Sequence, residues 1–279
     1  MTAIAKEPGA VLRALHERGG CFLIPNPWDV GSARILASMG FEALATTSAG
    51  MAFALGWQEG SICLEDTLDH CRQLVDATSL PVSADLEKGF GDSPTSVAET
   101  IRVAAETGLA GGSIEDHSGD RSKPIFDFDL AVERIAAAAE ASRSLPQDFV
   151  LTARAENFLW GRRDLDDTIR RLQAFSQAGA DVLYAPGLPD LDSVRRVCAE
   201  VDKPVNVVMG LSSTGFTVPQ LAAAGVTRIS VGASFARAAY GAFVTAANEV
   251  MNDGSFGYAD SAIGFAEINA FFKRGDSGR

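Results

Sequence analysis

Carboxylate side chains end two consecutive apolar runs of the chain. Asp85 and Glu87 follow PVSA, and Glu115 follows GGSI. If these runs are parallel strands, their carboxyl ends share one edge and the three carboxylates converge there. Like charges held close together repel unless a cation joins them, and oxygen ligands without imidazole or thiolate favour Mg²⁺ or Mn²⁺ over zinc. The pattern predicts such a metal site; alternatively, Asp85 or Glu115 caps the next helix or pairs with an arginine.

Arg154 ends the following apolar run, FVLTAR. A guanidinium group is a planar fork that matches a substrate carboxylate, although an arginine at such an edge can also be a plain salt-bridge partner. A metal together with this arginine predicts a small carboxylate ligand. The other polar or turn residues at strand ends, which we take as substrate-binding candidates, are Thr47, Ser48, Ala49 and Asn206.

The segment HSGDRSKPIFDFD follows Glu115-Asp116 and reads as a loop over this edge. His117 opens it, and an imidazole titrates near neutrality, which suits a general acid or base; an exposed loop histidine is the equal alternative. Asp120, Arg121 and Lys123 in the same loop can bind a distal substrate group or simply be solvated. Two Gly- and Ser-containing segments, GLSSTG (210–215) and VGASF (231–235), follow the last two apolar runs. If the chain folds as a (β/α)8 barrel, these are the positions where such barrels often bind phosphate.

Glycine and proline junctions organise the chain that must position these residues. Gly follows a helical pattern and precedes a short apolar run at 39–46, 107–114, 178–185 and 224–231, and Pro does so at 80–85, 145–154 and 203–208. With CFLIP (21–25) we count eight strands. Amphipathic helical patterns lie between them at 29–39, 64–78, 94–107, 128–143, 165–178, 190–200, 217–224 and 234–251. This alternation predicts a (β/α)8 TIM barrel; a doubly wound sheet is disfavoured because no GxGxxG follows the first strand.

Composition narrows the function classes. The chain has 279 residues and a formal net charge of −12, which argues against a nucleic-acid groove and gives no support for an anionic membrane surface. Four cysteines without framework spacing and a start without a continuous apolar stretch predict a cytoplasmic protein. We expect one barrel domain over 1–279, with 252–279 as a helical extension. The apolar face of AIGFAEINAFFKR in that extension packs either on its own barrel or on a neighbouring subunit.

Several of these segments resemble the isocitrate lyase/phosphoenolpyruvate mutase superfamily. PVSADLEKGFGDSP is similar to its PLxxDxDxGYG segment, and NPWDVGSARILASMGFEALATTSAG to its first strand, helix and substrate-binding turn. GGSIED, LTARAENF and AGADVLY follow in the family's order, so the resemblance runs from about 21 to 245. It implies a (β/α)8 barrel whose terminal helix swaps between subunits, usually in a tetramer, and small carboxylate substrates.

The resemblance also implies roles for particular residues. Asp85 is expected to be the direct ligand of Mg²⁺ (or Mn²⁺), Glu87 and Glu115 to hold its water ligands, and Glu59 to be the family's acidic residue after an L-G turn. The backbone of Thr47, Ser48 and Ala49 would bind the carboxylate and enolate oxygen of a pyruvyl group, and Arg154 would grip the same carboxylate. Asp29 in NPWDV would lie beneath the site as a supporting acid.

Departures from the family pattern define the functional hypotheses. The family's lyases carry a K-K-C-G-H-type lid, whereas the lid here has no cysteine; its mutases carry E-D-K-x-x-x-K-x-N-S, whereas His117 replaces that Lys and the Asn-Ser is absent. The first hypothesis is a Mg²⁺-dependent lyase or hydrolase that cleaves a C–C bond in a small 2-oxo or 2-hydroxy acid through a stabilised enolate. The alternatives are a phosphonomutase or phosphonopyruvate hydrolase, and a non-catalytic 2-oxo-acid-binding protein.

Overall fold

A computed structural model describes residues 7–210 and 215–273. Eight parallel strands alternate with helices, as the sequence predicts. The strands are β1 (Phe22–Ile24), β2 (Leu44–Ala45), β3 (Val82–Asp85), β4 (Gly111–Glu115), β5 (Val150–Arg154), β6 (Val182–Tyr184), β7 (Val205–Val208) and β8 (Arg228–Ser230). The helices that follow the strands are α2 (Val30–Ser38), α4 (Leu64–Ala77), α5 (Pro94–Ala105), α6 (Phe128–Arg143), α7 (Leu165–Ala178), α8 (Leu191–Glu200), α9 (Val218–Ala223) and α10 (Ser234–Asp253).

The strands form a nearly closed barrel in the order β1-β8-β7-β6-β5-β4-β3-β2. Between β1 and β2, the Ala45 amide donates to the Pro25 carbonyl oxygen at 3.0 Å. In the register of β4 and β5, Glu115 lies opposite Arg154, so two candidate site residues are strand neighbours. The predicted (β/α)8 TIM-barrel fold is confirmed.

The glycines at the four predicted helix-to-strand junctions all have left-handed backbone. Gly40, Gly108, Gly179 and Gly225 have φ values of 90°, 87°, 109° and 96°. A side chain at these positions would be strained, and glycine ends the helix there at little cost. This local requirement explains why the junctions are visible in the sequence.

Helices α1 (Pro8–Glu17) and α3 (Ser48–Ala54) lie outside both the predicted repeat and the predicted C-terminal extension. Helix α1 precedes β1, and its Leu12 and Leu15 pack with Phe22, Ile24 and other strand residues in a separate apolar cluster. Helix α3 follows β2 and precedes α4. The repeat of apolar run and helix does not predict α1 or α3, because neither is needed to cross from one strand to the next.

The chain ends in a short 3-10 helix (Gly257–Ser261) and helix α11 (Phe265–Phe271). The division of the chain at residue 252, which falls inside the last turn of α10, stays a prediction, as does the swap of the last helix between subunits. Within residues 7–210 and 215–273, none of the helices combines the length and the apolar character that crossing a membrane requires.

Candidate active site

Asp85 lies at the carboxyl end of β3 and is surrounded by hydrogen-bond donors. Its Oδ2 accepts from the Ser48 hydroxyl at 2.9 Å and from the Ser48 amide at 3.3 Å. Its Oδ1 accepts from Arg154 Nη1 at 3.1 Å and from the Glu87 amide at 3.3 Å. The backbone is fixed as well, because the Asp85 amide donates to the Thr46 hydroxyl at 2.8 Å. A carboxylate can accept about four hydrogen bonds. The two oxygens of Asp85 therefore accept as many hydrogen bonds as they can.

Arg154 joins the carboxylates of three strand ends. Besides Asp85, it contacts Glu115 through Nη2 at 3.1 Å and Glu156 through Nε at 2.8 Å. Its side chain is only 14% exposed, and the Tyr184 ring centre lies 5.0 Å from its guanidinium carbon. Opposite charges attract more strongly in this partly buried site than in water. Arg154 and its three acidic partners therefore form the electrostatic centre of the site.

Glu87 and Glu59 carry excess negative charge at the same mouth. Burial, and then the neighbouring charges of Asp85, Glu115 and Glu59, raise the pKa of Glu87 to about 7, although Arg154 lowers it. The pKa of Glu59 is also raised, first by partial desolvation and then by Asp85 and Glu115. Glu87 has a left-handed φ of 48°, which is unusual for a residue with a side chain and common at functional sites.

A buried polar layer lies under Glu115 and Arg154. Asp116 accepts from the Glu156 amide at 2.8 Å and pairs with Arg171 of α7 at 3.1 Å. Arg171 also donates to the Phe126 carbonyl at 3.1 Å, at the point where the loop after β4 returns. Desolvation raises the pKa of Asp116 to about 6 and that of Glu156 to about 8. This layer ties the ends of β4 and β5, helix α7 and the base of the loop into one unit.

The segment after β2 contributes hydroxyl and amide groups. Thr47 is the N-cap of α3, where its hydroxyl accepts from the Gly50 amide at 3.3 Å. Ser48 contacts Asp85, and Ala49 is 8% exposed. Thr47, Ser48 and Ala49 are therefore brought to the Asp85 side of the mouth, and their role in binding a substrate stays a prediction.

His117 lies next to Glu115 and against Trp160. Its Nδ1 is 3.6 Å from Glu115 Oε1, and its ring stacks on Trp160 with a centre-to-centre distance of 3.7 Å and an angle of 7°. An isolated antiparallel bridge joins His117 to Ile125 across the loop. The structure thus places His117 at the site with only 18% of its side chain exposed, rather than on an open loop.

Two other candidate residues lie apart from this cluster. Asn206 is 1% exposed in the barrel interior, where it accepts from Arg228 Nε at 2.8 Å and donates to the Ser230 hydroxyl at 3.1 Å. Asp29 is an exposed N-cap of α2 whose carboxylate accepts from the Ser32 amide at 2.7 Å. These contacts give both residues a structural role, and their predicted roles in substrate binding and acid support stay predictions. Four residues of the GLSSTG segment, 211–214, lie outside the described residues.

The carboxylates of the site fit a divalent cation that keeps several of its water ligands. Among the described residues, no three carboxylate, imidazole or thiolate groups are grouped so that they could hold one ion directly. Mg²⁺ keeps several water ligands and is commonly bound through one or two carboxylates. Asp85 with Glu59, Glu87 and Glu115 around it supplies that chemistry. A bound cation would relieve the repulsion between these carboxylates, which adds to the effect of burial in raising the pKa of Glu87.

Sequence reasoning does not assign a role to Glu156 or Asp116, whereas it expects Trp160 either to pack in the core or to shape the pocket. Glu156 and Asp116 do lie at the ends of β5 and β4, and that position is the signal that could have found them. His117 and Trp160 lie in different loops, and no local sequence pattern predicts that they stack on each other.

The acidic, arginine-centred mouth lies at the carboxyl ends of the barrel strands, which is where TIM-barrel enzymes have their active sites. The model of the phosphoenolpyruvate phosphomutase family matches residues 12–251. The chain belongs to this family, within the isocitrate lyase/phosphoenolpyruvate mutase superfamily.

Particular relatives agree with this membership. The chain is 30% identical over 255 residues to 2-methylisocitrate lyase of Escherichia coli, covering 88% of this chain and 83% of that protein. A crystal structure from Burkholderia cenocepacia, provisionally described as a lyase/mutase, is 56% identical with a TM-score of 0.94 and 97% coverage of both chains. Oxaloacetate acetylhydrolase, solved with its product oxalate, is 27% identical with a TM-score of 0.85, covering 95% of this chain and 93% of that one.

Proposed function

We propose that the protein is a divalent-metal-dependent lyase or hydrolase that cleaves a C–C bond in a small 2-oxo or 2-hydroxy carboxylic acid. The observation that carries this proposal is the cluster of Arg154 with Asp85, Glu115 and Glu156 at the barrel mouth. A cationic fork beside a carboxylate-rich metal position suits a ligand that has a carboxylate and an adjacent oxygen. The relationship to 2-methylisocitrate lyase and oxaloacetate acetylhydrolase supports the same reaction class.

Arg154 would bind the substrate carboxylate. Glu156 holds its Nε, so Nη1 and Nη2 can exchange Asp85 and Glu115 for the substrate while the guanidinium stays in place. A bidentate arginine–carboxylate pair fixes both position and orientation, and orientation of the breaking bond is a large part of the rate enhancement.

Cleavage of a hydroxy acid needs a base and later an acid. The hydroxyl proton leaves to the base, the electrons of the C–C bond move onto the departing fragment to form its enolate, and one proton returns to that carbon. His117 Nδ1 faces Glu115, so Nε2 is the atom that would take or give a proton. The amides after β2 would face the developing oxyanion. Bound Mg²⁺ or Mn²⁺ would supply a Lewis acid for the same charge.

A reaction at a C–P bond is the second candidate function, and the composition of the loop after β4 supports it. Residues 117–129 contain no cysteine, and the family model that matches is that of a phosphomutase. A phosphonomutase or phosphonopyruvate hydrolase would use the same carboxylate and metal positions. A protein that binds 2-oxo acids without turning them over is the third candidate.

A thermal melt with oxalate, a stable mimic of the pyruvate enolate, tests the shared site. We expect a rise in melting temperature that needs both Mg²⁺ and oxalate, equivalent to about 2.7 kcal/mol at a hundredfold excess over Kd. Asp85→Asn should abolish the rise, whereas the matched control Asp192→Asn, at a side chain 92% exposed, should retain it. No rise in the wild type would refute the enolate site. Phosphate release from phosphonopyruvate, against cleavage of 2-hydroxy acids, separates the candidates.

The proposal extends to assembly and compartment. The protein would form a homo-oligomer, as a tetramer or a dimer, through the apolar residues of α10 and α11. The cysteines Cys21, Cys63, Cys71 and Cys198 are all free thiols, as expected for a protein of the reducing cytoplasm.

A further inference from the structure

Arg134 on helix α6 carries a buried guanidinium group that binds backbone carbonyl groups. It is 1% exposed, and its Nη1 donates to the carbonyl oxygens of Gly91 at 2.8 Å and Asp92 at 2.5 Å. Its Nη2 donates to the carbonyl oxygen of Lys88, and the centre of the Phe126 ring lies 4.3 Å from its guanidinium carbon. Desolvation lowers its pKa to about 10, so it is still a cation at neutral pH and needs polar partners in place of water. The three carbonyl groups are those partners, and Arg134 in turn fixes them in one arrangement.

The β3–α5 turn, residues 86–92, accepts these hydrogen bonds and has an unusual backbone. Glu87 and Phe90 have φ values of 48° and 52°, and they are the two residues other than glycine with positive φ in the described part of the chain. Left-handed conformations are unfavourable for residues with a side chain and persist only where the surrounding structure holds them. The acceptors of Arg134 lie on both sides of Phe90 in the sequence, so this arginine is placed to hold the turn in that conformation.

Glu87 connects the β3–α5 turn to the candidate site. Its amide donates to Asp85 Oδ1 at 3.3 Å, and its carbonyl oxygen accepts from the Glu115 amide at 3.0 Å. Both of these neighbours belong to the acidic mouth in which the proposed metal would lie. Backbone conformation sets the direction of the Cα–Cβ bond, so a return of Glu87 to a negative φ would direct its carboxylate elsewhere. The conformation of the turn therefore determines where this carboxylate points.

We propose that Arg134 is a positioning residue, which holds the β3–α5 turn in its left-handed conformation and so keeps the Glu87 carboxylate directed at the metal position. The inference rests on the proposed function, because Glu87 has a metal water to hold only if a metal binds in the mouth. Arg134 acts through Glu87 and is not expected to contact the metal or the substrate itself.

Calorimetric titration with oxalate at a series of Mg²⁺ concentrations tests this role. Arg134→Gln should raise the Mg²⁺ concentration needed for half-maximal oxalate binding by about 10- to 100-fold, which is the usual effect of losing a residue that orients a metal ligand. Arg143→Gln is the matched control, since Arg143 lies on the same helix, is exposed and donates to the Gly179 carbonyl oxygen at 3.2 Å. It should leave the Mg²⁺ dependence unchanged. A wild-type Mg²⁺ dependence in Arg134→Gln would overturn the proposal.

A double-mutant cycle distinguishes positioning of Glu87 from a general effect on the fold. Once Glu87→Gln has removed the carboxylate, Arg134→Gln should change the Mg²⁺ dependence by no more than about twofold further. An undiminished effect in that background would show that Arg134 does not act through Glu87. Arg134→Lys keeps the buried charge but lacks the planar fork, so it should shift the Mg²⁺ dependence in the same direction. It provides the same cycle if Arg134→Gln does not fold.

Hydrogen exchange in the metal-free protein measures the turn without any ligand. Backbone amides of the β3–α5 turn should exchange faster in Arg134→Gln than in Arg143→Gln, while those of β5 exchange equally in both. Equal exchange of the turn in the two variants would overturn the proposal whatever the protein binds. A wild type that binds no oxalate with Mg²⁺ would instead refute the proposed function, and the metal-directed role of Arg134 with it.

Discussion

Arg154 balances the charge of the candidate site, since Asp85, Glu115 and Glu156 all contact its guanidinium group. The three carboxylates are between 2% and 18% exposed, so little water is available to screen their repulsion. The residue that we expect to bind the substrate therefore also neutralises the carboxylates of the site.

Arg154→Gln should lower the free energy of unfolding by about 3 kcal/mol, because it leaves buried carboxylates without their cation. Addition of Mg²⁺ should restore part of that loss, since a cation then returns to the same carboxylates. Chemical denaturation with and without Mg²⁺ measures both effects. An unfolding free energy equal to the wild type, or one that Mg²⁺ leaves unchanged, would contradict this account.

His16 gives the molecule a dependence on pH that is independent of the site. Its Nδ1 donates to the Leu12 carbonyl at 2.8 Å and its Nε2 lies 3.3 Å from Arg228 Nη1 in the barrel interior. Desolvation, and then the charge of Arg228, lowers its pKa from 6.5 to about 3. The folded protein therefore keeps His16 neutral at a pH where the unfolded chain binds a proton.

This difference predicts a loss of stability as the pH falls below 6.5, because the unfolded state binds more protons there. Between pH 7 and pH 5 the loss from His16 should be about 2 kcal/mol, and none is expected above pH 7. His16→Gln keeps a donor and an acceptor but does not titrate. Chemical denaturation of the wild type and of His16→Gln at pH 7 and pH 5 measures the contribution of His16. If both proteins lose the same free energy of unfolding between the two pH values, His16 does not contribute.

At the scale of elements, helix α1 closes the end of the barrel opposite the site. Leu12 is fully buried, and the Arg13 side chain contacts Asp148 at 2.6 Å and Asp181 at 2.8 Å, just before β5 and β6. Gly9 lets the helix approach, because a side-chain carbon there would overlap the backbone carbonyl of Asp148.

Gly9→Ala tests this close approach. Helix propensity alone would make the substitution stabilising by about 1 kcal/mol, but the overlap with Asp148 should make it destabilising by about 1–3 kcal/mol. Ala10→Gly, at the next and exposed position, should cost about 1 kcal/mol through propensity only. If Gly9→Ala instead stabilises the protein, α1 does not lie in close contact with the Asp148 backbone before β5.

In the molecule as a whole, α10, α11 and the segment between them expose large apolar side chains. Phe243, Met251, Phe256 and Phe265 are 68%, 82%, 65% and 90% exposed. Large apolar patches are rare on soluble monomers and usually mark a contact with another molecule. The formal net charge of −12 opposes non-specific association, so a specific contact between copies is the expected consequence.

We therefore predict that the full chain sediments as a homo-oligomer. Phe243→Glu combined with Met251→Glu should shift it toward the monomer, because buried charges at an interface lack partners. Glu249→Gln, on the same helix, should not. Analytical ultracentrifugation distinguishes the cases, and a wild type that is monomeric at tens of micromolar would contradict the prediction.

Local sequence patterns suffice to predict the repeat of strands and helices and the edge of the barrel on which the polar residues lie. Glycine, proline and the apolar runs act over a few residues, so the junction at Gly179 and the placement of Asp85, Glu115 and Arg154 at strand ends can be predicted from local pattern. Helix α1 could not, since nothing in its pattern says which end of the barrel it covers.

The ion-pair partner of each charged side chain depends on the closed barrel and cannot be predicted from local pattern. Asp85 and Arg154 are 69 residues apart and Asp116 and Arg171 are 55 apart, yet each pair is in contact. The contact of Asn206 with Arg228 inside the barrel and the stacking of His117 on Trp160 have the same origin. Such contacts depend on the closure of the barrel and on the packing of loops from distant parts of the chain, which no local pattern encodes.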